Sequence, residues 1–489
     1  MAATTSTTPG DTMSWRRWSP WVGWSVVGGL GLLVMATTWH FSINVPVFDD
    51  WILVHTAARS SHDPFSSAIW AQYLGQRLVV PRLIAVVLAK VGLFNFQVMA
   101  LLGALVDVGA CVAVLFAVHW SSHRRFSAGW MTLFALSWFS LVDIVDLLWV
   151  SATPWMFTLG GLGLMCAAFA SPRLGPWWAL SLGGLAALLA SLSWVHGFLL
   201  WPIGIAAWLW SRPPSRSRRL QVLAFSSVGV VFVLAYLRHF HLSQVTYFCP
   251  PGRDCSAIAS LRSPQALVPF FLRILGQVVP EWSWFGPLAS QCAGAVLLGL
   301  SVWVLASTVA ARRLGRTVPV PAMLVLFGLG TAALVAIGRL HFSSGVASYY
   351  SMASAVTWSG VILYVTGRWR ARATRDTPWV AILGRVGFAV VVVMLSLGSL
   401  GPGLTEATHW RAQQVAAGRF VVNRDQLTAA QIACGENLYI GGGTYTYANA
   451  LDHYQAAFLQ AQQHGWAMFS EPLMSELRAQ GPPDLHACS

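Results

Sequence analysis

Long apolar runs, set apart by short arginine-bearing stretches, recur from one end of this sequence to the other; Trp21–Thr38 and Phe388–Leu400 are two of them. A bilayer core of about 30 Å asks for roughly 20 such residues per helix. Inside hydrocarbon a backbone must satisfy its own N–H and C=O groups, so only helices and closed barrels cross. A barrel would alternate polar and apolar residues in segments of about ten, and these runs do not alternate. Charged residues make up 10% of the chain, against about 25% in soluble domains. With a mean hydropathy of +0.60, a soluble enzyme on a single anchor is excluded. The expectation is an all-α polytopic membrane protein.

A net charge of +13 would suggest nucleic acid in a soluble chain. Here the cations serve topology. Lys90 is the only lysine among the 30 basic residues, and the arginines gather in short connections: Arg16/Arg17, Arg124/Arg125, Arg212–Arg219, Arg312–Arg316 and Arg368–Arg375. That is the cytoplasmic bias of basic loops, and no nucleic-acid partner is expected.

Threaded by that rule, spans fall at 20–39, 96–119, 126–142, 149–170, 177–194, 197–211, 220–238, 286–310, 320–337, 350–366 and 379–400. This gives eleven transmembrane helices, with a cytoplasmic N-terminal tail at 1–19 and the C-terminus on the outer side of a bacterial plasma membrane. The outer face then carries a first loop at 40–95, a second at 239–285, and a small C-terminal domain at 401–489. Two further apolar stretches, 78–93 and 264–280, hold arginines or prolines and are read as interfacial or re-entrant helices; counting them as spans gives 12 or 13.

Cys111, Cys166 and Cys292 fall inside spans and read as small apolar residues. Cys249, Cys255, Cys434 and Cys488 all fall outside, where disulfides persist. The pairs Cys249–Cys255, within CPPGRDC, and Cys434–Cys488 are expected; a zinc site is the rival, but the spacing of paired metal ligands is missing.

The first outer loop carries the most chemistry. Asp49 and Asp50 follow the first helix directly, with Trp51 and His55 next and Gln76, Arg77 and Arg82 further on. Carboxylates beside a bilayer are costly and mark pathways or catalytic centres. A carboxylate base opposite arginines suits transfer from a lipid-linked phosphate, with bidentate arginines on the phosphate and the carboxylate on the acceptor proton. Asp49 stands at the expected N-cap of the next helix, which spends its oxygens on backbone N–H groups. Asp50, inside the first turn, is therefore the expected base and Asp49 the alternative. Arg339 and His341 close a later span, followed by Tyr349 and Tyr350, and Arg339 is the third candidate phosphate ligand. Asp143 and Asp146 lie in the short second outer loop and read as solvated loop charge. No phosphate-binding Gly-rich loop, His-Glu-x-x-His or Gly-x-Ser-x-Gly occurs.

An acidic pair opening the first outer loop resembles the GT-C glycosyltransferases, and more narrowly a bacterial branch whose first loop shows D-D-W followed by E-H-R-x-x-x-P-R-L. The matching residues are Asp49-Asp50-Trp51 and Gly75-Gln76-Arg77-Leu78-Val79-Val80-Pro81-Arg82-Leu83, with further likeness at Leu148-Trp149, HGFLLWPIG (196–204) and GRLHFSSGVASYYSMAS (338–354). Gly75-Gln76 departs from Glu-His, Tyr349-Tyr350 from Arg-Tyr, and His196 from a commoner Asn. The resemblance implies a GT-C-like fold and transfer from a polyprenyl-phosphate sugar. Asp50 and Asp49 are then catalytic, Arg77, Arg82 and Arg339 bind the donor phosphate, and His55, Trp51, Gln76, His196, His341, Tyr349 and Tyr350 line the pocket.

The expected activity is inverting glycosyl transfer at the outer leaflet onto an envelope glycan, lipid or protein. No cofactor is expected; a divalent metal on Asp49 and Asp50 is chemically open, but too few acids converge to predict one. A transporter or flippase of a lipid-linked glycan and a non-catalytic envelope scaffold are the rival classes. Inverted repeats, expected of many transporters, are not apparent.

Overall fold

The computed structural model describes residues 13–60, 67–73, 75–122, 127–140, 144–241, 249, 254–279, 286–311, 317, 319–341, 350–372, 379–439, 459, 461–483 and 485. Among these the secondary structure is helical, apart from one isolated bridge between Tyr73 and Gln76. The first half runs α1 (Met13–Phe41), α2 (Trp51–Arg59), α3 (Ser67–Trp70), α4 (Val79–Lys90), α5 (Phe96–Ser122), α6 (Ala128–Trp138), α7 (Ile144–Leu148), α8 (Pro154–Ala170), α9 (Pro176–Ser193), α10 (Leu200–Ser211) and α11 (Arg216–Leu237). The second half runs α12 (Ala257–Leu261), α13 (Pro264–Leu275), α14 (Gly286–Ala311), α15 (Val320–Arg339), α16 (Ser351–Arg372), α17 (Trp379–Gly398), α18 (Leu400–Val422), α19 (Ala429–Tyr439) and α20 (Glu471–Ala479).

Eight described stretches are long and apolar enough to cross a membrane: Pro20–Phe41, Phe96–Ser121, Val150–Ala170, Pro176–Ser193, Arg216–Leu237, Gly286–Ala310, Val320–Arg339 and Gly384–Val422. The fold is that of a polytopic helical membrane protein. Among the described residues the expected count of eleven is not confirmed. The stretch at 126–142 holds a helix of 11 residues, and that at 197–211 lies in a helical run, Val195–Ser211, that falls short of a full span. The stretch at 350–366 lies within the longer α16, whose first half carries Ser351, Ser354, Thr357 and Ser359, all buried. A helix enclosed by protein can hold such hydroxyls because its neighbours satisfy them: Ser354 Oγ donates to the Leu275 carbonyl and accepts from Val278 N. The stretches at 78–93 and 264–280 form helices of 12 residues each, about 18 Å long and too short for a 30 Å core.

The bundle is tied by close pairs, α5 on α8, α8 on α9, α13 on α14 and α15 on α16. Glycines permit two of these. A Cβ on Gly163 would lie 2.9 Å from the Ala110 backbone, and one on Gly328 only 2.7 Å from the Ala353 carbonyl and nearer still to Thr357 Oγ1. In lipid, where apolar side chains gain little by leaving the solvent, such close approach is what holds helices together.

Position 400, expected to separate span from tail, lies within a nearly continuous helical run, Gly384–Val422. Along α18 the buried residues Gly403, Ala407, Trp410, Gln414, Ala417 and Val421 recur at spacings of four and three, so one face is buried. That face meets the connector between α1 and α2. Arg411 donates to the His40 carbonyl, Ile43 N donates to Gln414 Oε1 over 3.3 Å, and Gly418 sits beside Val45 and Leu477. Farther along, Asn44 Nδ2 donates to the Ala467 carbonyl over 2.9 Å. α18 and the turn at Ala467 thus embrace the segment that leads to Asp49.

Candidate functional site

The connector enters the site extended at Val47 (φ −128°, ψ 145°) and then reverses through Phe48, whose φ is +49°. For a bulky residue the left-handed region is an outlier. One turn of 3-10 helix, Phe48–Asp50, runs straight on into α2. The Phe48 ring lies 6.5 Å from Trp149 and 6.2 Å from Trp410, and those two rings are 5.7 Å apart.

This turn sends the two carboxylates in different directions. Asp50 is fully buried. Its Oδ1 accepts from Ser151 N and Ser151 Oγ, both at 2.8 Å, and its Oδ2 accepts from Val47 N at 3.2 Å. Burial pushes its carboxyl up to about 7 against those bonds, with the Asp49 charge adding to the rise. Asp49 is half-buried, and the Tyr73 hydroxyl donates to its Oδ1 over 2.5 Å. Burial raises the Asp49 carboxyl above the usual range, while the Tyr73 bond and the Arg339 charge oppose the rise.

The capping role expected of Asp49 therefore falls to Asp50. The left-handed Phe48 starts the helical path a residue early, so the Val47 N–H faces Asp50. Asp49, expected to be spent on backbone N–H groups, is the carboxylate left towards Tyr73 and Arg339.

Tyr73 is held in place by its own loop. Tyr73 N donates to the Gln76 carbonyl over 2.7 Å and Gln76 N returns the bond over 3.0 Å. Arg77 and Arg82 clamp the approach to it. Arg77, buried, donates from Nε to the Tyr236 carbonyl (3.1 Å), from Nη1 to the Trp70 carbonyl (2.5 Å) and from Nη2 to the Arg238 carbonyl (2.9 Å). Its guanidinium also lies 5.3 Å from the Trp70 ring and 5.7 Å from that of Tyr236. Arg82 donates to the Ala71 carbonyl and, over 3.5 Å, to that of Ile69. The sequence reading set both arginines on a lipid phosphate. In the structure both donate to backbone carbonyls around Tyr73, and Arg77 also to those at the end of α11, groups that need a donor when buried.

The other expected pocket residues fall as follows. Arg339 ends α15, and its charge acts on both Asp49 and His196. His196 is buried and stacks on Trp155 at 4.5 Å. Trp51 is buried and His55 half-buried on α2, and Gln76 contributes through its backbone. His341 follows α15, and its carbonyl lies 3.7 Å from Cys255 Sγ. Tyr350 is buried at the start of α16. Tyr349, Asp143 and Cys488 lie outside the described residues. Asp146, expected to be solvated, is fully buried in α7. Cys249 and Cys255 are bridged, and Cys434 is disulfide-bonded too.

Four residues escaped the sequence reading. Tyr73 and Ser151 carry no motif and touch the acids only through the tertiary fold. Phe48 looked like one more apolar residue before the acids. Asp107, within α5, is buried with Trp138 Nε1 donating to its Oδ1 over 2.9 Å; a lone acid inside an apolar run was the available signal. Among the described residues no three His, Cys, Asp or Glu side chains gather as a metal site.

No protein-family model matches the chain, and no curated protein matches it in sequence. Among solved structures the chain is similar to the oligosaccharyltransferase AglB of Archaeoglobus fulgidus in complex with an inhibitory peptide and a dolichol-phosphate, at 12% identity and a TM-score of 0.43 over 88% of this chain. It is also similar to the Archaeoglobus fulgidus oligosaccharyltransferase in its apo form (14%, TM-score 0.45, 89% of this chain) and tethered to an acceptor peptide (13%, TM-score 0.43, 88%). The chain spans 63% of the length of each of them.

Proposed function

We propose that this protein transfers a sugar from a polyprenyl-phosphate donor to an envelope glycan, lipid or protein at the outer leaflet, with inversion, and that Asp49 is the general base. The observation that carries the assignment is the single hydrogen bond from Tyr73 to Asp49 Oδ1. It orients the carboxylate and leaves Oδ2 for the acceptor. Asp50, by contrast, accepts three bonds and is fully buried.

In the step proposed, the acceptor O–H (or N–H) bond breaks and its proton passes to Asp49 Oδ2. The freed lone pair forms the new bond at the anomeric carbon. The bond from that carbon to the phosphate oxygen breaks, and polyprenyl phosphate leaves with the electron pair. A carboxyl raised by burial is a stronger base than an exposed one, which favours proton transfer near neutral pH. Arg339, whose charge reaches Asp49, is the cation proposed to meet the phosphate, while Arg77 and Arg82 maintain the loop that carries Tyr73. No nucleotide site is required.

Transport is the rival for which one observation speaks: a cavity inside the bundle beside Asp107. Apart from Asp107 and Ser140 its lining is apolar, including Val34, Trp138, Leu147 and Met352. A hydrated glycan would lose its hydrogen bonds there, so the enzyme reading is preferred.

The test is incubation of the purified protein with a panel of polyprenyl-phosphate sugars and envelope acceptors, following release of polyprenyl phosphate by mass spectrometry. Release by the wild type and not by Asp49→Asn is expected. No release from any donor, with movement of a lipid-linked glycan across vesicles instead, would replace this reading with transport.

A further inference from the structure

We infer that the Phe48 turn is a positioning device, locked by Trp149 and Trp410, that splits the adjacent carboxylates and holds Asp49 on Tyr73; this rests on the catalytic reading of Asp49 above. Three independent observations meet at this turn. Phe48 is one of three non-glycine residues with positive φ among the described residues, and it immediately precedes the acidic pair. Strained backbone of this kind persists only where its surroundings over-determine it, and it concentrates at functional sites. Glycine would adopt the same conformation without strain.

The surroundings here are the two tryptophans. Trp149 lies two residues before Ser151, which binds Asp50, so one short connector grips both the ring of the turn and the carboxylate behind it. Trp410 packs beside Trp149 from a distant part of the chain, on α18, the helix that runs along the end of α1 at His40 and the connector at Ile43 and Val45. With Phe48 packed against both rings, Asp50 turns inward to Val47 N and Ser151, and Asp49 turns to the Tyr73 hydroxyl. The C-terminal region, more than 350 residues away in sequence, is on this account part of the catalytic geometry, acting through Trp410. Phe48, Trp149 and Trp410 touch no reacting atom. They act by fixing where Asp49 points.

Four variants of the full-length protein in detergent test the device: Phe48→Gly, Phe48→Tyr, Trp410→Ala and Trp410→Phe. Three quantities are read, namely kcat and donor KM, the melting temperature, and amide hydrogen exchange over residues 44–51. A misplacement of about 1 Å costs on the order of 100-fold. Phe48→Gly and Trp410→Ala should therefore lose kcat on that scale while donor KM stays within about twofold. Exchange at residues 47–51 should quicken in both, and both should melt lower than wild type because each loses a packed ring. Phe48→Tyr and Trp410→Phe should recover most of the kcat and the protection. A Phe48→Gly variant with wild-type kcat and unchanged exchange would overturn the inference, as would loss of kcat that the ring-preserving variants do not recover. Should the wild type transfer no sugar from any donor, the catalytic reading falls, and exchange alone decides the turn: quickening in Phe48→Gly and Trp410→Ala, restored by Phe48→Tyr and Trp410→Phe, supports the lock, and unchanged protection refutes it.

Discussion

The Tyr73 hydroxyl meets Asp49 Oδ1 at 2.5 Å, joining residues 24 positions apart across the loop between α1 and α5. That bond orients one of two neighbouring acids and leaves the other to backbone and serine. It also lowers the pKa that burial raises, so it trades some basicity for a fixed direction.

Replacing the base should abolish turnover without unfolding the protein. Asp49→Asn keeps an oxygen that can accept from Tyr73, so the loop stays closed. Loss of a general base costs roughly 10²–10⁴ in rate. A kcat lowered by that factor, with an unchanged melting temperature and donor KM, is expected. If Asp49→Asn turns over normally and Asp50→Asn is dead, the roles are reversed.

Asp50 should leave a signature in the pH dependence of stability. Its carboxyl titrates near 7 in the fold and near about 3.9 in an unfolded chain. Between those values the native state keeps a proton that the unfolded chain has lost. The contribution is therefore fully present below about pH 4, falls as pH rises through 7, and is gone above it. Asp50→Asn removes the titration and turns an amide nitrogen or a doubly shared oxygen towards Val47 N and Ser151, costing about one hydrogen bond, roughly 1 kcal/mol or more at low pH. Thermal melts from pH 4 to pH 8 should show the gap between wild type and variant shrinking as pH rises. A gap independent of pH would mean Asp50 does not titrate in this range.

Arg77 separates two accounts of the basic loop. A phosphate ligand replaced by lysine would lose donor binding while the fold held. A clamp replaced by lysine loses a planar fork that no ammonium reproduces. On the geometry here, Arg77→Lys should destabilise the protein by about 1–3 kcal/mol and lower kcat through Tyr73, leaving donor affinity largely intact. Calorimetry and donor binding, measured on the same preparation, distinguish the two. Weakened donor binding at full stability would restore the phosphate role.

The cysteines report sidedness. With the C-terminal region and the second loop on the outer side, Cys249, Cys255 and Cys434 should resist a membrane-impermeant maleimide in intact cells and label only after an impermeant reductant is added. Labelling that requires permeabilised cells would place these segments inside and invert the topology.

Membrane residence and helical class were legible in the sequence by itself, because hydrocarbon imposes one rule on every residue that enters it: apolar side chains on a self-satisfied backbone. The same rule made the adjacent acids of the first loop conspicuous, since charge beside a bilayer is costly wherever the chain goes. Helix count was less legible. A helix such as α16 is enclosed by protein and carries serines and threonines, and the shorter helices at Ala128–Trp138 and Val195–Ser211 differ from full spans only in where they stop.

The direction of each side chain was not legible, and it decides the chemistry. On a regular helix two adjacent residues diverge by about 100°, which made Asp49 the cap and Asp50 the free acid. One left-handed residue, Phe48, exchanged them. Its conformation is held by Trp149 and Trp410, and Asp50 is bound by Ser151, 101 positions away. Arginines 77 and 82 carried the right charge for a phosphate, and only the packed structure shows that both also donate to backbone carbonyls around Tyr73. Sequence reports which groups are present and what solvent they must tolerate. Which of them meet depends on contacts between distant segments, and those exist only once the chain has packed.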